Sequence, residues 1–548
     1  MATRSPRLWR AFEAMCGSLW LATMALPSLA AEQITFSYGS LERTVSVTSL
    51  EAFAREGQVS DELDFYLQRV GVEERKKIQE ILLTPVDLSP VALSIFLYSS
   101  LGEVLLQYLG SLIQTDSRFN GFYALRSAIV QAAADSEELT ILNVIQHFPT
   151  RTVRIDGSRA FQIAGVIAQL FERTEQVVAL IEKQAEVELE TTAAINFAQD
   201  SNLEQPGLFT WSSKSLNVYA QERDRRVAAN LYQLQTSSSA PVPVIVISHG
   251  VGADRNSFTD LAEHLASHGF SVVLLDNRGF NTQQLRDLSR GIASEVIDPK
   301  EFIEAPKDVS FLLDKLEQLN ESSPSQPIRL NLEKVGIIGH SFGGSMAFAL
   351  TGAEFNIEQL KANCTFASDG LDLVNLSLLL QCTALKLEDT AFQQLQDGRI
   401  KAVFAMNAMG SRLFGTHGFQ QMQVPVMFVA GSHDLLAPAL LEQIRPFNWL
   451  EGIDKYLMVI QAGTHIYAAS EVSIHENLTL PSELAGPDPV LARQYLKASS
   501  LAFMQTYIAD QDEYLPYLSA GYAQAISRPP LELMLVRNFP LADLSLIE

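Results

Sequence analysis

Val335-Gly336-Ile337-Ile338-Gly339-His340-Ser341-Phe342-Gly343-Gly344-Ser345-Met346-Ala347-Phe348-Ala349 decides the fold. Its opening apolar residues read as a short buried strand and its last five as a helix. The G-x-S-x-G between them leaves room only for a sharp strand-to-helix turn with a serine at its tip. Glycines flank that serine for a steric reason: the helix packs tightly against the incoming strand, and a Cβ there would hold the two apart. Five residues alone are a weak signal, so the weight comes from the strand before and the helix after.

Outward from this turn, strands alternate with helices. Residues 226–234, 242–247, 271–275, 335–338, 401–406, 424–430 and 455–460 read as strands. Residues 257–268, 305–319 and 342–351 read as helices, and the remaining gaps are long enough for crossovers. This is an α/β chain with a doubly wound, mostly parallel sheet, whose site belongs at the carboxyl ends of the strands. Residues 31–190 have a different texture, dominated by helical periodicity: Ser60 before Leu63, Tyr66, Leu67 and Val70, the Ser89-Pro90 start signal, and a long helix over 158–189. A smaller all-helical domain is expected there, then a polar join, then a catalytic domain over 207–548. Two excursions, 277–304 and 355–399, leave the sheet's carboxyl edge. The second carries Leu371, Leu373, Val374, Leu376, Leu378, Leu379 and Leu380, too apolar for a free loop, and is expected to pack as a cap that makes the site mouth apolar.

A serine hydroxyl is a poor nucleophile near neutrality and needs a neutral imidazole to take its proton. In this arrangement the chain order is Ser, acid, His. His465, in Ala462-Gly463-Thr464-His465 just past the last apolar strand, is expected to be the base for Ser341; His475, in a polar segment, is the rival. Asp434, in Gly431-Ser432-His433-Asp434 after Val426-Met427-Phe428-Val429-Ala430, is expected to orient the imidazole. Some proteins of this plan carry the acid one strand earlier, where this chain has Asn407; Asp369 and Asp372 are weaker rivals. The oxyanion of acyl transfer needs preplaced backbone donors, assigned here to Phe342 N–H and Val251 N–H, the latter in Ser248-His249-Gly250-Val251-Gly252. His249, His268 and His340 read as scaffold or lining groups, and His147 as structural.

Composition bounds the partners. The chain has 548 residues, 47% hydrophobic and 19% charged, with a formal net charge of -23. Length calls for more than one domain. The acidic balance disfavours nucleic acid and anionic membranes, and an uncharged or zwitterionic substrate fits better. Arg4, Arg7 and Arg10, an apolar stretch over 15–26 and Ser28-Leu29-Ala30 read as an export signal over residues 1–30, placing the mature protein in the periplasm or outside the cell. Cys364 and Cys382 are then the only mature cysteines and are expected to bridge.

Ile247-Ser248-His249-Gly250-Val251-Gly252-Ala253, Leu265-Ala266-Ser267-His268-Gly269-Phe270 and Gly339-His340-Ser341-Phe342-Gly343-Gly344 resemble the secreted platelet-activating-factor acetylhydrolases and the related dienelactone-hydrolase and cutinase-like esterases, all of the α/β-hydrolase fold. Phe36-Ser37-Tyr38-Gly39 and Leu50-Glu51-Ala52-Phe53-Ala54-Arg55-Glu56-Gly57 resemble the domain preceding such hydrolases in a cyanobacterial family of unknown function. The resemblance implies hydrolysis of carboxylic esters, including short acyl groups on phospholipids, with no metal or organic cofactor and with peripheral contact to lipid surfaces. A polyester or cutinase-like esterase is the alternative within enzymes, and a non-catalytic lipid- or protein-binding member the alternative outside them. One departure stands out. The acetylhydrolases take their acid from the position aligned with Asn407.

Overall fold

Six apolar runs, buried on both sides, build the centre of a nine-stranded sheet. In the computed structural model, which describes residues 30–86, 88–135, 138–191, 202–235, 240–322, 329–365, 370–466 and 486–539, these are β7 (Val242–Ser248), β8 (Ser271–Asp276), β9 (Leu330–His340), β10 (Ile400–Met406), β11 (Val426–Gly431) and β12 (Lys455–Ile460). All six run parallel, in spatial order β12-β11-β10-β9-β7-β8. Near-continuous burial rather than alternation is what a sheet covered on both faces requires. Antiparallel strands close the edges: β5 (Thr210–Ala220) and β6 (Arg225–Gln235) beyond β8, and β13 (Leu533–Val536) beyond β12. β5 and β13 carry no sequence signal strong enough to be expected as strands.

One face of the sheet packs on the helix Pro489–Tyr507 through Tyr495, Leu501, Phe503 and Met504, all buried with Ile245, Val272, Ile338, Phe404 and Met458. On the helix Phe342–Leu350, Phe348 meets Phe414, Phe419 and Phe428 edge-on or tilted at 5.1–6.3 Å. Such aromatic pairs add to the area they bury.

The chain divides into two compact units, one taking residues up to 94 with 106–160, the other taking 95–105 with 161 onward. The helix Gly157–Thr191 thus goes for most of its length with the sheet of nine strands. The first unit corrects the all-helical expectation. Beside its helices it holds a four-stranded sheet in the order β2-β1-β4-β3, from Leu41–Ser46, Gln33–Tyr38, Thr152–Asp156 and Ile113–Gln114. The physical reason is range: β1 pairs in parallel with β4, more than a hundred residues away, and strands of six residues or fewer leave little alternation among longer helical patterns. Val45, Phe53, Leu63, Leu67, Leu82 and Leu142 form this unit's core. The expected export signal, His475 and Asp369 lie outside the described residues.

Candidate active site

The turn between β9 and the helix Phe342–Leu350 holds Ser341 at φ 53°, ψ -120°. A non-glycine residue there is strained, at a cost on the order of 1–3 kcal/mol, and persists only when its surroundings over-determine it. They do so here. Ser341 N–H donates to Met406 O of β10 at 2.9 Å. A Cβ on Gly339 would stand 2.6 Å from Gly344 Cα, one on Gly343 would stand 2.6 Å from His249 O, and one on Gly344 would overlap the Ala408 methyl. Each glycine is therefore a point where helix, strand and neighbouring loop touch at backbone distance.

β12 ends at Ile460, and the turn after it brings His465 back over the serine. His465 Nε2 lies 2.9 Å from Ser341 Oγ, and Nδ1 lies 2.7 Å from Asp434 Oδ2. Asp434, with its side chain fully buried, takes Leu436 N–H at 2.9 Å and Ala437 N–H at 2.8 Å on Oδ1. Its other oxygen accepts the Asn407 side-chain amide at 2.6 Å. A carboxylate can only accept, so this network assigns the proton of the neutral ring to Nδ1 and leaves the Nε2 lone pair facing the serine hydroxyl.

A second imidazole supports the first. His340 Nε2–H donates to His465 O at 2.9 Å, with the rings 5.0 Å apart. Burial, with His465 alongside, pushes its pKa down to about 3, so His340 stays neutral. His249, whose pKa burial also lowers, ties the facing loop together, donating from Nδ1 to Gly250 O at 2.8 Å and accepting Asn277 N–H on Nε2 at 3.1 Å.

Val251 N–H and Phe342 N–H have no hydrogen-bond partner among the described residues. Phe342 is the first residue of its helix, where the backbone N–H has no intrahelical acceptor. Gly250, just before Val251, comes so close to the turn that a Cβ on it would lie 2.9 Å from Ser341 Cβ. Two unspent backbone donors therefore belong to the residue after the serine and to the residue after Gly250, and they are the candidates for an oxyanion's donors. Phe280 and Phe302 hold the Phe342 ring edge-on at 4.8 Å each.

The structure thus brings Ser341, His465, Asp434, Phe342 and Val251 together. Asp372 is elsewhere, paired with Arg412 and 3.9 Å from Arg445. His268 bonds Gln205 O at 3.0 Å, and His147 lies between Asn143 O at 2.9 Å and Asp135 at 3.2 Å. Cys364 and Cys382 form a disulfide with Cα atoms 5.7 Å apart. Among the described residues no group of three or more His, Cys, Asp or Glu is placed to hold a metal ion.

Two participants escape sequence reasoning. Asn407, considered there only as a position lacking the acid, is a donor to that acid. Glu442, fully buried, accepts six hydrogen bonds at 2.6–3.0 Å: from the side chains of Asn375, Ser377, Gln381 and Ser411, and from Gly410 N–H and Ser411 N–H. It joins the second excursion to the loop that carries Asn407. Nothing local in Leu440-Leu441-Glu442-Gln443 signals this.

Similarities to known proteins follow the same division of the chain. Residues 30–156 match the family described as "Alpha/beta hydrolase of unknown function (DUF1400)", and residues 239–363 match "Serine aminopeptidase, S33". The second match runs from β7 through the serine turn and stops before Asp434 and His465. Platelet-activating factor acetylhydrolase of Bos taurus is 27% identical over 19% of this chain and 30% of its own length. That of Canis lupus familiaris is 25% identical over the same shares. The chain therefore matches less than a third of the length of these relatives. Sheet order, serine turn and these similarities agree: the chain has the α/β-hydrolase fold and resembles the platelet-activating-factor acetylhydrolases.

Proposed function

We propose that the protein cleaves carboxylic esters, foremost acyl esters of lipids, through an acyl-enzyme on Ser341. The observation that carries this reading is the unbroken path from Ser341 Oγ to His465 Nε2 at 2.9 Å and from Nδ1 to Asp434 at 2.7 Å. As Oγ attacks the ester carbonyl, its proton passes to His465 Nε2, and the carbonyl oxygen gains charge between Val251 N–H and Phe342 N–H. Asp434 stabilises the imidazolium without taking its proton. Collapse breaks the bond to the alcohol, which leaves with the proton from Nε2. Water, deprotonated by the same nitrogen, then releases the acid and restores the serine.

Apolar side chains near the acid support an acyl substrate. Leu435 and Leu436, next after Asp434, stand 43% and 40% exposed, and Leu376 of the second excursion 45%, while Leu371, Leu373, Leu378 and Leu379 are buried. Export also belongs to this proposal, and the Cys364–Cys382 bridge supports an oxidising compartment.

A fluorophosphonate probe should label the wild type once, at Ser341, and leave Ser341→Ala and His465→Ala unlabelled. His475→Ala should behave as the wild type. Turnover should then be measured on a graded series of acyl esters and on a peptide amide; faster hydrolysis of the amide would overturn the ester reading.

A further inference from the structure

A polar cavity of about 450 Å³ opens beside the loop after β7, with Arg226, Arg255, Arg278 and Arg286 around it and Asp254 and Asp276 among them. Four guanidinium groups in one hollow are unexpected in a chain of formal net charge -23, and their partners do not account for them. Asp276 accepts Asn281 Nδ2 at 2.7 Å and lies 3.7 Å from Arg255. Asp254 is met by neutral donors, Asn256 N–H at 2.8 Å and Thr282 Oγ1 at 2.7 Å. Among the described residues the Arg286 side chain bonds the amide oxygen of Gln283, at 3.1 and 3.2 Å, and no carboxylate. The Arg226 and Arg278 side chains have neither a hydrogen bond nor an ion pair among the described residues. Against four cations the lining thus holds two carboxylates, of which Asp276 lies 3.7 Å from Arg255, and an excess of positive charge remains in the hollow. The helix Thr282–Ser289 begins at the wall, adding the positive end of its dipole.

We infer that this cavity binds a phosphate-type oxyanion. Guanidinium forks donate paired hydrogen bonds in one plane, and several of them around one centre suit a tetrahedral anion with oxygens on every side better than a single planar carboxylate. The cavity lies one loop from the serine. Gly250 touches the Ser341 turn, and Asp254 follows four residues later, within about 14 Å even for fully extended chain. Gly252 N–H, between them, is fixed to Phe280 O at 2.8 Å. An ester bound at Ser341 whose phosphate-bearing head group spans that loop would meet the arginines, and a zwitterionic head group would do so against the acidic surface at little electrostatic cost. The cavity itself stands on its own geometry; only the assignment of the phosphate to a substrate rests on the esterase reading.

The test uses the full protein and Arg226→Gln/Arg278→Gln, both sites being exposed. Inorganic phosphate is titrated calorimetrically at low ionic strength. Hydrolysis is then compared for one acyl group carried on glycerol and on glycerol phosphate. Wild type should bind phosphate saturably and the double variant at least tenfold more weakly. The variant should raise KM for the phosphate-bearing ester at least tenfold and leave the neutral ester within twofold. Phosphate binding lost in the variant without that KM split would uphold the site and assign it to free phosphate. Equal titrations, or no saturable binding by wild type, would overturn the inference. Should wild type hydrolyse neither ester, the esterase reading falls while the titration still decides the cavity.

Discussion

Asn407 donates its side-chain amide at 2.6 Å to the same Asp434 oxygen that His465 Nδ1 bonds at 2.7 Å. The end of β10 and the end of β11 thus meet at one carboxylate. The residue at the first position is a donor to the acid that stands at the second. Asp434→Asn should lower kcat by about 10³–10⁴-fold, because an amide cannot hold the imidazole in the required tautomer. Adding Asn407→Asp to that variant restores a carboxylate within reach of the ring and should recover part of the loss. Asn407→Asp alone sets two carboxylates against each other, raising the pKa of one, and should lower activity. Steady-state rates of the three variants on one short-chain ester decide it; a double variant no better than Asp434→Asn would show that the two positions cannot exchange roles.

Gly250→Ala should cut kcat at least tenfold while the protein still folds. The added Cβ would stand 2.9 Å from Ser341 Cβ and 3.2 Å from His340 O, so the loop carrying Val251 N–H must move, and donor placement is what such a site is sensitive to. Circular dichroism together with kcat for the variant checks both halves.

Glu442→Gln should destabilise by about 1–3 kcal/mol, the cost of leaving buried donors unsatisfied. The new amide would turn an NH₂ toward groups that are all donors, including Gly410 N–H and Ser411 N–H. Urea unfolding curves measure this, and a change under 1 kcal/mol would show that the hub relaxes.

Reducing the Cys364–Cys382 bridge should lower stability by about 3 kcal/mol in the chain-entropy account, given a sequence separation of 18. Urea midpoints with and without reductant check this, with Cys364→Ser/Cys382→Ser as the control that reductant must not shift.

Stability should fall as pH drops below about 6.5, the ordinary histidine value, partly through His264. Burial, then His268 and Lys497, lowers the His264 pKa to about 3. Between those limits the unfolded chain holds a proton that the folded chain refuses, so protonation favours unfolding; above about 6.5 neither state is charged and the contribution is complete. His264→Gln removes the group and should flatten the dependence of the urea midpoint between pH 6.5 and 5 relative to wild type.

The serine turn, its flanking strand and helix, and the Ser341–Asp434–His465 order were legible because each rests on a local constraint. A left-handed serine between glycines, a histidine just past an apolar run and an acid just past another are properties of neighbouring residues. The small sheet of the first unit was not legible, since β1 finds β4 only across the length of that unit. β5 and β13 were missed for other reasons: β5 is an edge strand of mostly polar, exposed residues, and β13 is an apolar run of only four residues, too short to read as a strand.

Local sequence by itself thus determined which side chains are the candidates for attack and proton transfer, and where the backbone must lack a Cβ. Only the tertiary structure decided what surrounds that chemistry. Asn407 became a donor to Asp434, Glu442 became the hub of six hydrogen bonds, and four arginines from β6, two loops and a helix came to share one cavity. Short-range sterics are written in adjacent residues, whereas hydrogen-bond satisfaction and charge clustering depend on which distant segments the closed sheet brings within a few ångströms.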